Sequence, residues 1–254
     1  ILRGEWGTSL SDTRPVTDKL WEAMKWSVTI LILNVLFALI IALPIGVYNG
    51  IYPNSTFDKV SNTVLFAFFA VPKFWLATLM IIFFTTSEYG MWTNIFPATG
   101  KWYTAGSEGF ISMLTHSWTN LILPLLILVS PDVAYLGRLI RSTVQEESNK
   151  EYIKTALSKG MSKKSIALAH ILPNSLIPTI TLLVGTLPGA LASALVIEVI
   201  FNIPGIGRLM YDRIGNADWA MIYPIVLIVS ILTVALFLDG DILIALLNTK
   251  INLG

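Results

Sequence analysis

The sequence predicts an all-α integral membrane protein, a bundle of five transmembrane helices, and three observations predict it. Of the 254 residues, 54% are hydrophobic and 13% charged, where a soluble domain carries roughly 25% charged residues. Five segments, about 27–48, 63–85, 118–137, 175–201 and 221–247, each supply the roughly 20 apolar residues a bilayer-spanning helix requires. The short alternating segments of about 10 residues that would mark spanning strands are absent from the sequence.

Taken in order, the first 21 residues (ILRGEWGTSLSDTRPVTDKLW) are polar and carry neither the apolar core nor the small-residue cleavage site of a signal peptide. The five spans are apolar all round, so helical periodicity adds little to their assignment. Connecting loops differ in basic content. Loop 138–174 holds Arg138, Arg141, Lys150, Lys154, Lys159, Lys163 and Lys164, against only Lys101 in 86–117 and only Arg208 and Arg213 in 202–220. Cytoplasmic loops are the lysine- and arginine-rich ones, so 138–174 is expected inside, 49–62 inside, residues 1–21 outside and the tail 248–254 inside. Arg3, Arg14, Lys19 and Lys25 run against this assignment, offset by Glu5, Asp12, Asp18 and Glu22. An outside N-terminal segment is expected to follow a further helix upstream of Ile1, giving six spans in the intact chain.

Within the basic loop, Ile153, Ala156 and Leu157 have the spacing of one apolar helix face. Gly160 permits a reversal, Ser162 is placed to cap a second helix, and Ile166, Ala169 and Leu172 continue an apolar face that Pro173 is expected to end. The segment therefore reads as two short amphipathic helices joined at a glycine. It is either a solvated loop lying on anionic lipid or a docking surface for a cytoplasmic partner.

Charge, cysteine count and motifs exclude several function classes. A net charge of +1 gives no nucleic-acid signature, and the lack of cysteine removes thiolate catalysis and thiolate metal sites. No G-x-x-x-x-G-K-[ST] phosphate loop occurs, Gly100-Lys101 lacking its flanks. His116 and His170 have no H-E-x-x-H spacing, and no G-x-S-x-G is present. No metal site and no catalytic constellation is expected in this chain.

Ionisable residues at lipid depth are functional candidates by default. Lys73 lies about 15 Å into its span and Asp132 about 9 Å from the cytoplasmic end of the next, at 1.5 Å per residue; the two are candidates for an intramembrane pair. Span 175–201 contains Gly185, Pro188, Gly189 and Ser193, small residues and a helix-loosening proline that suit either close helix packing or a pathway lining. Glu198, before the turn-forming NIPGIG, is either an interfacial carboxylate or part of an outer gate.

The order and spacing of these stretches resemble the permease subunits of ABC importers, of the oligopeptide and dipeptide (peptide/nickel) branch of the binding-protein-dependent type I transmembrane family. Glu151, Tyr152, Thr155, Ala156, Lys159, Gly160, His170, Leu172, Pro173, Asn174 and Pro178 follow its cytoplasmic signature, although Glu151 directly precedes Tyr152 where the branch has one residue between. Further resemblance lies in GEWGTS, ALPIGV (42–47), VPKFW (71–75), AYLGRLIRS (134–142), VIEVIFNIPGIGRL (196–209) and DILIALLNTKI (241–251). Lys73 departs from the usual uncharged residue of that pattern, as Asn248, Thr249 and Lys250 depart from its D-P-R.

The resemblance implies a type I permease domain over about 22–247, in a bacterial or archaeal plasma membrane, with coupling helices in 151–174. Implied partners are a second permease, two cytoplasmic ATPase subunits that bind the ATP and Mg²⁺, an extracytoplasmic binding protein and a peptide substrate. It also implies a pathway along Gly185, Pro188, Gly189, Ser193 and Glu198. Alternatives are an importer of nickel, glutathione or another small solute, an ion-gradient-driven transporter, for which no internal repeat is visible, and a membrane anchor without transport.

Overall fold

A computed structural model describes residues 6–86, 95–97, 102 and 110–247. Lys101, most of the 86–117 loop and the tail 248–254 therefore lie outside the described residues.

The described chain is helical, in the order α1 (Val16–Ile51), α2 (Thr56–Ala70), α3 (Lys73–Thr85), α4 (Phe110–Ser148), α5 (Glu151–Ser158), α6 (Lys163–Ile166), a π-helical turn (Ala167–Ile171), α7 (Leu172–Ile200), α8 (Ile206–Gly215) and α9 (Trp219–Leu247). Among the described residues, four helices are long and apolar enough to cross a membrane, and α2 with α3 form a fifth, bent pair. Helices α1 and α4 outrun the apolar segments of the sequence at both ends, because a hydropathy window marks the lipid-facing middle of a helix and not its polar ends.

Two sequence expectations need correction. The 63–85 span is not one straight helix: α2 stops at Ala70 and α3 restarts at Lys73, with Pro72 in the cap position at φ −59° and ψ 129°. The residue before a proline disfavours the α region, so Val71-Pro72 breaks the run. Conversely, Pro173 ends nothing. It is the second residue of α7, inside a helical run continuous from Lys163, and the π turn directly before it departs from the regular α-helical bonding in which a missing amide would be felt. The π turn also re-phases the apolar face: Ile166, Ala167 and Ile171 are buried while Ala169 is exposed.

The chain forms two compact units. One comprises residues 1–34, 71–128 and 189–232, the other 35–70, 129–188 and 233–254. In the first, Trp26, Ile30, Leu76, Leu128, Ile197 and Phe201 form one core, and Val16, Leu20, Ile206, Met221 and Ile225 another. In the second, Ala38, Ala42, Val133, Ile140, Val144 and Ile153 pack with Ile166 and Ile171. Close approach of α1 to α4 rests on Gly46 and Gly50, one turn apart: a Cβ on Gly46 would come within 2.8 Å of the Gly137 carbonyl oxygen, and one on Gly50 would overlap Val144.

Candidate functional site

Helix α5 leaves its apolar stripe facing its own protein. Ile153 and Ala156 are 4% and 8% exposed, packed with Ile140, Val144, Ile166 and Ile171. The expectation that Ala156 presents itself to a partner is thereby corrected: folding already uses that face. What remains outward is Glu151, Tyr152, Lys154, Thr155, Leu157, Ser158 and Lys159, with Tyr152 39% and Leu157 46% exposed. Spacing alone groups Leu157 with Ile153 and Ala156, but the helix turns it to solvent.

The helix ends as its sequence dictates. Gly160 has φ +79°, the left-handed conformation that costs a glycine least. Its amide donates to the Leu157 carbonyl at 2.9 Å and the Met161 amide to the Ala156 carbonyl at 3.3 Å, the bonding of a Schellman cap. The Ser162 hydroxyl then accepts the Ser165 amide at 3.2 Å, capping α6.

A polar network fixes α5 to its neighbours. Glu147, 6% exposed at the end of α4, accepts hydrogen bonds from the Tyr152 hydroxyl and from Lys150 at 2.5 Å. Asn174, in the first turn of α7, donates to the Tyr152 oxygen at 3.1 Å and to the His170 carbonyl at 2.8 Å. The His170 ring meets Tyr152 edge-on at 6.3 Å. Burial, followed by the bond to Glu147, pushes the Tyr152 hydroxyl above its ordinary range, so it stays a neutral donor. Glu151 pairs with Lys154 at 2.7 Å on the exposed face, and the Thr155 hydroxyl bonds back to the Glu151 carbonyl. Leu172 is half-buried and Pro173 exposed at the start of α7. Thus Glu151, Thr155 and Lys159 lie on the outer face, while Tyr152 and His170 join that face to the scaffold.

A second polar knot escaped the sequence reading. The Asp58 carboxylate, 2% exposed, receives Arg141 Nε at 2.8 Å and Nη2 at 2.9 Å, the Asn54 amide at 2.8 Å and Asn62 Nδ2 at 2.5 Å. Its signal was present: Ser55 three residues before Asp58 forms a capping pair, the Ser55 hydroxyl accepting the Asp58 amide at 3.1 Å. The G-x-x-x-G of Gly46 and Gly50 was equally readable.

On α7, Gly185 and Gly189 have open space where a Cβ would stand, so neither serves close packing within the described chain. Ser193, four residues on, is half-buried, its hydroxyl bonded back to the Gly189 carbonyl at 2.9 Å, and Pro188 leaves the helix unbroken. Gly185, Gly189 and Ser193 thus form one small-residue face. Glu198 is fully buried. It accepts the Ser27 hydroxyl at 2.6 Å and the Gly207 amide at 2.7 Å, while Ser27 in turn accepts the Ile206 amide at 2.8 Å. The first amides of α8 are so satisfied from α1 and α7, with a carboxylate at the positive end of the helix. Lys73 opens α3 in the first unit and Asp132 lies on α4 in the second; both are half-buried.

Near the other end of α1, Asp218 is 1% exposed and accepts the Ser9 hydroxyl at 2.6 Å, the Leu10 amide at 3.2 Å and the Ser11 hydroxyl at 3.0 Å. Burial pushes its carboxyl up, but these donors together outweigh it and hold the group at about 2. Segment 8–15 is thereby tied to the start of α9.

A family model described as binding-protein-dependent transport system inner membrane component matches residues 25–253. The oligopeptide transport system permease protein AppB of Bacillus subtilis (strain 168) is 30% identical over 253 residues, covering 99% of this chain and 77% of that protein. The dipeptide transport system permease protein DppB of Alkalihalophilus pseudofirmus is 29% identical, covering 99% and 78%. The glutathione transport system permease protein GsiC of Salmonella choleraesuis (strain SC-B67) is 28% identical, covering 99% and 76%. Among solved structures, the MetNI methionine ABC transporter in an inward-facing conformation aligns with a TM-score of 0.69 at 15% identity, over 92% of this chain and 96% of that one. An amino acid ABC transporter with histidines gives 0.61 at 12%, over 92% and 95%. At those identities the two structures speak for the fold alone.

Proposed function

The chain belongs to the family of binding-protein-dependent transport system inner membrane components, and from that membership we propose that it is the permease subunit of an ATP-driven importer of short peptides, coupled to its ATPase through the outer face of α5. Support for the substrate class comes from relatives named for oligopeptides, dipeptides and the tripeptide glutathione, each matching 99% of this chain. Glutathione stands as the second reading on the strength of the last of these.

The observation that carries the coupling role is the division of α5. Its inner face is used by the core, and its outer face keeps Tyr152, Leu157 and a row of charged and hydroxyl residues on a rigid, capped helix. A docked ATPase would find an apolar anchor in Leu157, ringed by Glu151, Lys154, Thr155 and Lys159. A push on α5 passes through Tyr152 into both Glu147 on α4 and Asn174 on α7, and α7 carries the open small-residue face of Gly185, Gly189 and Ser193. In this reading ATP and Mg²⁺ are bound by two ATPase subunits, a second permease completes the pathway, and a binding protein delivers substrate from outside. The 138–174 segment faces the cytoplasm, as its seven basic residues indicate.

The test is ATP-dependent uptake of a labelled di- or tripeptide by proteoliposomes holding this chain with its co-purified subunits and binding protein. Uptake that requires ATP and the binding protein is the expected result. Uptake driven by an ion gradient without ATP, or no co-purifying ATPase, overturns the reading.

A further inference from the structure

Two arginines one helical turn apart on α4 are treated very differently. Arg141 is clasped by the buried carboxylate of Asp58. Arg138 is exposed, one residue past the apolar run 118–137, and lies over two rings of α2, 4.9 Å from the Phe69 centroid and 5.7 Å from that of Phe66. Its Nε points at the Ala134 carbonyl at 3.4 Å. Its two terminal amino groups meet no acceptor among the described residues.

Aromatic rings stabilise the flat face of a guanidinium but leave its edge unsatisfied. Phe66 and Phe69 are themselves 59% and 48% exposed, so the surround is an apolar surface that offers the edge nothing. A planar fork of this kind matches two oxygens of a phosphate. Lys59 adds a second exposed cation, without an acidic partner among the described residues. It lies seven residues before Phe66, hence on the same face of α2 and about 10.5 Å back along its axis at 1.5 Å per residue. Cations at the border of an apolar run, with exposed rings on its lipid-depth side, have the layout of a headgroup above acyl chains.

We propose that Arg138, seated on Phe66 and Phe69 and assisted by Lys59, binds the phosphate of an anionic phospholipid, with the acyl chains lying against the two rings. The site is separate from the α5 face and does not depend on the peptide-import reading, because lipid occupancy is measured without transport.

Native mass spectrometry of the purified full chain, with whatever subunits accompany it, counts bound phosphatidylglycerol against phosphatidylcholine. Wild type is expected to prefer phosphatidylglycerol, and Arg138→Gln to bind it about tenfold more weakly, the low end for loss of a charge-assisted hydrogen bond. Arg138→Lys should lie between, and Lys59→Gln, which removes no ring contact, should weaken binding without altering the melting temperature in detergent. Equal retention of both lipids by wild type overturns the proposal, as does unchanged phosphatidylglycerol binding in Arg138→Gln and Lys59→Gln. Displacement of phosphatidylglycerol by millimolar tripeptide also overturns it, assigning Arg138 to a carboxylate of the cargo.

Discussion

Replacing Asp58 by alanine strands the Arg141 guanidinium and two other groups, the Asn54 amide and the Asn62 side-chain amide, that lose their acceptor. Asp58 is 2% exposed and receives four hydrogen bonds, two of them from Arg141 in a fork. Removing one partner of a buried ion pair costs about 3–5 kcal/mol. The Arg141 side chain is 27% exposed, so water takes part of that load, and about 2–3 kcal/mol is the reasonable expectation. At about 2–4 °C per kcal/mol for a chain of this size, Asp58→Ala should melt about 4–12 °C lower. Scanning fluorimetry in detergent at one fixed heating rate measures this, the fixed rate mattering because unfolding of such proteins is often irreversible. Arg141→Ala and the double variant complete a cycle whose coupling should be about 1–3 kcal/mol. A shift under about 1 °C, or strictly additive effects in the cycle, would refute the pairing as a structural anchor.

Four further outcomes are expected. Leu157→Glu should melt within about 1 °C of wild type, as exposed substitutions do, yet transport poorly. Ala156→Trp should lower the melting temperature by overfilling the core behind α5; normal transport by the first or an unchanged melt in the second contradicts the division of that helix. Glu198→Ala, by stranding the Ser27 hydroxyl and the Gly207 amide, should cost roughly 2–4 kcal/mol, and Glu198→Gln should recover part of it; a neutral Glu198→Ala would show that the carboxylate does not hold α8. Asp218 is held at about 2 against an ordinary 3.8, so its contribution is full above pH 3.8 and fades as pH falls towards 2. The stability gap between wild type and Asp218→Asn should shrink by about 2 kcal/mol over that window, and a pH-independent gap would rule the contribution out.

Much of the fold was legible because burial in lipid imposes one simple requirement, length of apolar run, that a sequence displays openly. The break at Val71-Pro72 was legible too, from the proline alone, but five even spans concealed it. Pro173 misled for the opposite reason: whether a proline ends a helix or sits inside one depends on the backbone before it, and a π turn of five residues leaves no mark in composition. In α5 the periodicity of Ile153 and Ala156 marks a face, but cannot tell whether that face meets a partner or its own core. That choice is made by Ile140, Val144 and Ile171, residues distant in sequence. The roles of Glu198 and Asp58 were not legible because their partners, Ser27 and Arg141, lie 171 and 83 residues away.

In the proposed importer the outer face of α5 meets the ATPase. Since the chain has no cysteine, one introduced at Leu157 and one at Ile153, each treated with a short bifunctional reagent in the assembled transporter, give a direct reading. A cross-linked product of permease plus ATPase mass from the Leu157 site, and none from the Ile153 site, is the predicted result. Cross-linking from Ile153 and not from Leu157, or from neither while the ATPase stays bound, would show that the outer face of α5 is not the ATPase contact.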